Sequence, residues 1–190
     1  MAAKSNLINM VLCLTAVCLV CAAILGFTYN LTSEPIEKAN VKALQDALAL
    51  VLPSEGTISP EPQYIEMDGT TYEYYVQTVD SLNCCWAVKS TVNGFGGPLT
   101  VLVGMEPGGI VHATKVLSHS ETPGLGAKCQ TDTKFLGQFE GFDTNAGKLA
   151  VTKDGGDIDA ITASTITSRA YTLAVANAAK VVLKLQEEKQ

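Results

Sequence analysis

From Leu7 to Tyr29 the chain carries no charged residue, and that run limits what the rest can fold into. Only mild polar groups such as Asn9 and Thr15 interrupt it. As a helix it is long enough to cross a hydrocarbon core of about 30 Å. Lys4 ahead of an apolar stretch is also how a secretory signal begins. The run exceeds a usual signal core, however, and no small-residue cleavage site follows it. Val17 and Val20, ahead of Cys18 and Cys21, fit a lipoprotein cleavage site poorly. We therefore expect residues 1–30 to be a retained transmembrane anchor. Charge does not orient it. Lys4 and the amino terminus lie on one side, Lys38 and Lys42 soon after the other, and long domains cross largely regardless of loop charge.

Beyond the anchor, Ser33 is placed to cap a helix with Pro35 in its first turn. Val41, Leu44, Leu48 and Val51 give that helix an apolar face, and Pro53 ends it. Residues 31–53 thus read as a juxtamembrane helix that docks on the domain or on a partner protein. Pro53, Pro60 and Pro62 make 54–63 a connector at the start of a domain spanning 54–190. Tyr72, Tyr74 and Val76 mark one two-residue period, and Trp86 and Val88 another, so both segments read as strands. Tyr72, Tyr74 and Tyr75 fit strand packing better than an aromatic surface. The loop Asn93-Gly94-Phe95-Gly96-Gly97-Pro98 precedes a buried strand from Leu99 to Val103. Gly108-Gly109 then turns the chain into a strand from Ile110 to Leu117. A short helix near Lys128 to Leu136 and a long C-terminal helix complete an α+β domain with antiparallel strands. The Phe95-to-Pro98 loop is a poor nucleotide fingerprint, because no helix obviously follows it.

At 190 residues the chain has room for one domain plus a smaller element. A formal charge of −6, with no Lys/Arg cluster, argues against a nucleic-acid partner. Of six cysteines, Cys13, Cys18 and Cys21 lie in the apolar run, where packing is the default role. Cys84, Cys85 and Cys129 lie in the domain, and in an oxidising compartment Cys129 could bridge either of the others. With no Cys-x-x-Cys pair in the domain and two histidines in the chain, no metal site is expected. His119 and Glu121 read better as hydrogen-bonded or exposed groups in a turn than as an acid–base pair. No Ser/His/Asp or Cys/His set stands out, so no catalytic residue is expected in this chain alone.

The segment from Asp159 to Ser168 concentrates the hydroxyls of Thr162, Ser164, Thr165, Thr167 and Ser168. Behind it Tyr171, Val175, Ala178, Val182 and Leu185 step by three or four and share one helix face. The hydroxyls therefore lie at or just before a helix N-terminus, where free backbone N–H groups and the helix dipole favour a phosphate. An N-cap is the plainer role for Ser or Thr at such a place, but it needs one hydroxyl.

This segment resembles the flavinylation motif of the FMN-binding domain family, an acidic residue followed by a Ser/Thr-Gly-Ala/Ser-Thr tetrad. Here the match is Asp159 with Thr162-Ala163-Ser164-Thr165, and Ala163 stands where glycine is usual. Glycine there would serve a positive φ or the close approach of another molecule. The resemblance implies FMN joined through a phosphoester to Thr165, with Ser164, Thr167 and Ser168 as phosphate neighbours. Asp159 would orient the loop or help the enzyme that attaches the flavin.

A second segment, Ser118-His119-Ser120-Glu121-Thr122-Pro123-Gly124-Leu125-Gly126-Ala127-Lys128, is similar to the His-x-Glu-Thr-Pro-Gly-Leu-Gly signature of the RnfG and NqrC flavoproteins. These belong to the Rnf complex and to the Na+-translocating NADH:quinone oxidoreductase. Read as residues alone, Pro123-Gly124 is a turn and Gly126 bares the backbone, so the loop can lie against a flat ring. The resemblance covers nearly the whole chain, and its length suits the Rnf protein better. It implies that Glu121, Thr122, Gly124, Leu125 and Gly126 neighbour the isoalloxazine ring, in a domain outside the cytoplasm. It further implies maturation by a separate magnesium-dependent flavin transferase that takes FMN from FAD. The partners would be the Rnf proteins RnfA, RnfB, RnfC, RnfD and RnfE, with electrons passing between reduced ferredoxin and NAD. The alternatives are the NqrC component of the quinone reductase, an anchored FMN domain serving extracellular electron transfer or a regulatory binding module, and a structural anchor that carries no flavin.

Overall fold

The computed structural model describes residues 7–80 and 83–188, without the side chains of 79, 80, 83 and 84. Lys4, the Cys84 side chain and the end of the tail lie outside the described residues. Helix α1 runs unbroken from Leu7 to Val51. Its most apolar window has a mean hydropathy of 2.7 and is wholly unburied, so the helix is long and apolar enough to cross a membrane. The separate start expected at Ser33 does not occur. Ser33 Oγ instead donates back to the Asn30 carbonyl, and Pro35 lies inside the helix. A proline removes one backbone bond and crowds the preceding turn. Helix-forming residues on both sides carry α1 through it, and Lys38 reaches back across Pro35 to Glu34 at 2.6 Å.

The chain divides into two compact units, one ending at Ala43 and one beginning at Leu44. The second unit opens with the last turns of α1 and continues through β1 (Thr57–Ile58), β2 (Gln63–Met67), β3 (Thr70–Asp80), β4 (Asn83–Asn93), β5 (Pro98–Glu106) and β6 (Ile110–His119). Then come a 3-10 turn at Gly126–Gln130, α2 (Thr133–Gly137), a second 3-10 turn at Thr152–Asp154 and α3 (Thr165–Glu187). All strand pairs are antiparallel, in the order β1-β3-β4-β5-β6 with β2 also paired to β3. The expected connector at 54–63 therefore includes a two-residue strand, which pairs with Gln77 and Thr78. The short helix expected over 128–136 is two shorter pieces. Asp132 separates them and caps α2, its Oδ1 accepting from the amides of Lys134 and Phe135.

Strand β5 reads as a continuous apolar run because both faces of the sheet are covered. Leu99, Val101, Val103 and Met105 face the core shared with α3, where Tyr171, Val175, Ala178, Val182 and Leu185 are all buried as their spacing predicts. Leu102 faces a smaller core with Ala47, Leu48 and Val51 at the end of α1 and with Leu52 just after it. Phe135, Phe139 and Tyr171 pack ring against ring with centroids 5.0–5.3 Å apart. Tyr72 and Tyr74 pack in the first core and Tyr75 in the second, as strand packing predicts. The same division separates the cysteines. Cys129 belongs to the α3 core and Cys85 to the α1 core, so no bridge joins those two. Burial, aided by the charge of Glu121, pushes the Cys129 thiol up to about 11.

Candidate functional site

Helix α3 begins at Thr165 with Ser164 as its N-cap, where the hydroxyl cluster predicts a helix start. Ser164 makes no side-chain cap bond, so the amides of the first turn are left without one. Its Oγ is buried, with the residue 6% exposed, and has no hydrogen-bond partner. The residue before it, Ala163, has φ +62. The backbone thus demands the left-handed region where the related motif has glycine, and alanine bears a strain of about 1 kcal/mol there.

The hydroxyls of the cluster have different fates. Ser168 is fully buried, accepting from the Ile161 amide at 2.9 Å and donating to the Ser164 carbonyl at 3.0 Å. It closes the loop that leads into the helix. Thr167 is 1% exposed and donates to Glu121 Oε2 at 2.9 Å. Thr162 is exposed and stands apart from the cavity described below. Thr165 is half-buried at the cavity, its Oγ1 accepting from Lys153 Nζ at 3.4 Å.

The cavity holds about 370 Å³ and is walled by three segments distant in sequence. Residues 163–167 form one wall; Glu121, Thr122, Leu125 and Gly126 form another; Phe95 from the β4–β5 loop forms the third. Glu121 ties them together. It is 5% exposed, and its Oε1 accepts from the Phe95 amide at 2.8 Å while Oε2 accepts from Thr167. Its own amide donates to His119 Nδ1 at 3.2 Å, and His119 Nε2 pairs with Gln130 Oε1 at 3.1 Å. The His119–Glu121 pair is thus hydrogen-bonded, as the turn reading favours. Gly126 fits this knot because a Cβ there would collide with the Glu121 carboxylate and lie 2.8 Å from Thr167 Oγ1. Gly124 differs: it has φ +77 with open space around it and does not line the cavity.

Of the residues singled out in the sequence, Glu121, Thr122, Leu125, Gly126, Ser164, Thr165 and Thr167 meet around the cavity, Ser168 supports it from outside and Gly124 does not line it. The Asp159 side chain does not line it. The Asp159 backbone instead exchanges two bonds with the Gln138 amide group, which pins the loop to the end of α2. Phe95 is hard to recognise from sequence because a glycine-rich loop leading into a strand carries no nucleotide signature. The aromatic residue between its glycines is the available signal. Lys153 has no signal at all in the sequence. It comes from the turn that Arg169 anchors through a two-pronged pair with Asp154, at 2.6 and 2.7 Å. That pair also holds the Asp154 carboxyl below its ordinary range.

A flavin mononucleotide fits these residues. The uncapped helix start and the orphaned Ser164 Oγ suit its phosphate. The exposed apolar side chains of Phe95, Leu125 and Ile166, beside the bare backbone of Gly126, suit its ring. The volume falls within the roughly 300–1,000 Å³ typical of ligand pockets.

Residues 94–180 match the FMN-binding domain family. The chain is 30% identical to the G component of the proton-translocating ferredoxin:NAD(+) oxidoreductase complex of Clostridium ljungdahlii, over 89% of this chain and 88% of that protein. It is 31% identical to the G component of the ion-translocating oxidoreductase complex of Vibrio cholerae, over 89% and 87%. With the corresponding protein of Methanosarcina acetivorans the identity is 28%, over 96% and 97%. A crystal structure of the C component of the Na(+)-translocating NADH-quinone reductase from Parabacteroides distasonis shares the fold, with a TM-score of 0.53 and 19% identity over 75% of this chain and 90% of that one.

Proposed function

We propose that this chain, which belongs to the RnfG family of ion-translocating oxidoreductase complexes and contains an FMN-binding domain, carries its FMN covalently on Thr165. The observation that supports this residue is the differing state of the hydroxyls. Thr167 is committed to Glu121, Ser168 is committed to the loop and Thr162 stands away from the cavity, whereas Thr165 opens onto it at an uncapped helix start. In this reading Thr165 accepts the modification and catalyses nothing itself. Bound FMN supplies the redox chemistry, and the protein's part is to hold it, orient it and exclude water from it.

Glu121 holds the β4–β5 loop and the start of α3 in register, which keeps Phe95 and Ile166 in place at the cavity. Thr122, Leu125 and Gly126 form the wall between them, and Ser164 offers a donor to the phosphate. A phosphoester link keeps the cofactor where free flavin would be diluted away, outside the cytoplasm. Residues 1–30 serve as anchor, 31–53 as juxtamembrane helix and 54–190 as the FMN-binding domain, with the end of α1 contributing to its core. The partners are RnfA, RnfB, RnfC, RnfD and RnfE, and a flavin transferase matures the chain from FAD. Electrons then pass between ferredoxin and NAD(+), the pair named for the Clostridium complex.

The test is coexpression of the full chain with the transferase, followed by denaturing gels read for flavin fluorescence. Thr165→Val should abolish the signal, while Thr162→Val and Thr167→Val keep it. Peptide mass spectrometry that finds FMN on another residue, or on none, refutes the assignment.

A further inference from the structure

We propose that Lys153 is the counter-charge of the phosphate at Thr165, a role that rests on the flavin attachment proposed above. The Lys153 ammonium lies 3.4 Å from Thr165 Oγ1, the atom that would bear the phosphorus. The helix start beneath it presents uncapped amides, and the orphaned Ser164 Oγ is buried against the same cavity. Amides and a hydroxyl can hold a phosphate by hydrogen bonds, but they leave its charge unpaired. Lys153 supplies that charge. Arg169, in the second turn of the helix, is already neutralised by Asp154. Among the ion pairs of the described residues none involves Lys153.

The Asp154–Arg169 pair has a second consequence. It joins the residue next to Lys153 to the second turn of α3, so the turn at Thr152–Asp154 is held beside Thr165. Lys153 is exposed and long, and without this tether its ammonium would roam. The tether makes it a positioned charge.

Amine labelling of the full-length protein tests this directly. Reductive methylation of the flavinylated chain should modify Lys153 at least about threefold less than in unflavinylated Thr165→Val, with the exposed Lys180 as the reference. Lys153→Met coexpressed with the transferase should acquire flavin about two- to fivefold more slowly, the scale of one exposed charge at a helix-terminal anion. Lys153→Arg should restore the rate. Thermal melts of the unflavinylated variants should match the unsubstituted chain, which separates a charge effect from a folding defect. Equal labelling, or wild-type loading of Lys153→Met with FMN on Thr165, overturns the role of Lys153 and leaves the attachment site standing. Flavin found on another residue overturns both, and peptide mass spectrometry tells the two results apart.

Discussion

Replacing Thr167 by Val isolates the bond that ties α3 to the rest of the site. Valine keeps the branched shape and removes only the hydroxyl that donates to Glu121 Oε2 at 2.9 Å. Thr167 is 1% and Glu121 5% exposed, so water has little access to replace the lost donor. A hydrogen bond to a charged group is worth about 1.5–3 kcal/mol, and a buried acceptor left without its donor falls toward the upper part of that range. Glu121 Oε1 keeps its bond from the Phe95 amide, which limits the damage to one oxygen. We expect about 2 kcal/mol of lost stability, or roughly 4–8 °C in Tm for a chain of this size. Urea unfolding of the full-length protein in mild detergent measures it, with the single tryptophan, Trp86, as a core reporter. A double-mutant cycle with Glu121→Gln should show a coupling above about 0.5 kcal/mol, as expected for residues in contact. A loss below about 0.5 kcal/mol together with an additive cycle would refute the view that Glu121 locks the site.

Gly126→Ala should lower stability by about 1–3 kcal/mol and alter the flavin absorption together, because the added methyl strikes the Glu121 carboxylate and Thr167. Gly124→Ala should cost about 1 kcal/mol from its φ of +77 and leave the flavin spectrum near that of the unsubstituted protein; paired melts and visible spectra distinguish the two. Reporter fusions placed after Pro53 and at the C-terminus should both read as external, and cytoplasmic activity at either position would overturn the proposed topology.

The long elements and the helix start are legible in the sequence because local periodicity and local chemistry determine them. The uncharged run permits a membrane-crossing helix, the three-and-four spacing from Tyr171 to Leu185 announces the buried face of α3, and the two-residue periods mark β3 and β4. Pro35 misleads, since a single lost backbone bond is outweighed by the helix-forming residues around it. The site itself needs the tertiary structure. Thr162, Thr165 and Thr167 offer the same hydroxyl in sequence, and only the approach of Glu121 across the fold engages one of them and leaves another open. Phe95 enters the site from a hairpin loop far from Thr165 in sequence, and Lys153 from a turn 12 residues before Thr165 that the Asp154–Arg169 pair holds in place. Cys85 and Cys129 lie in different cores for the same reason: sequence carries the period of a strand, but which core a given residue joins depends on what packs over each face, and that follows from contacts the chain makes only when folded.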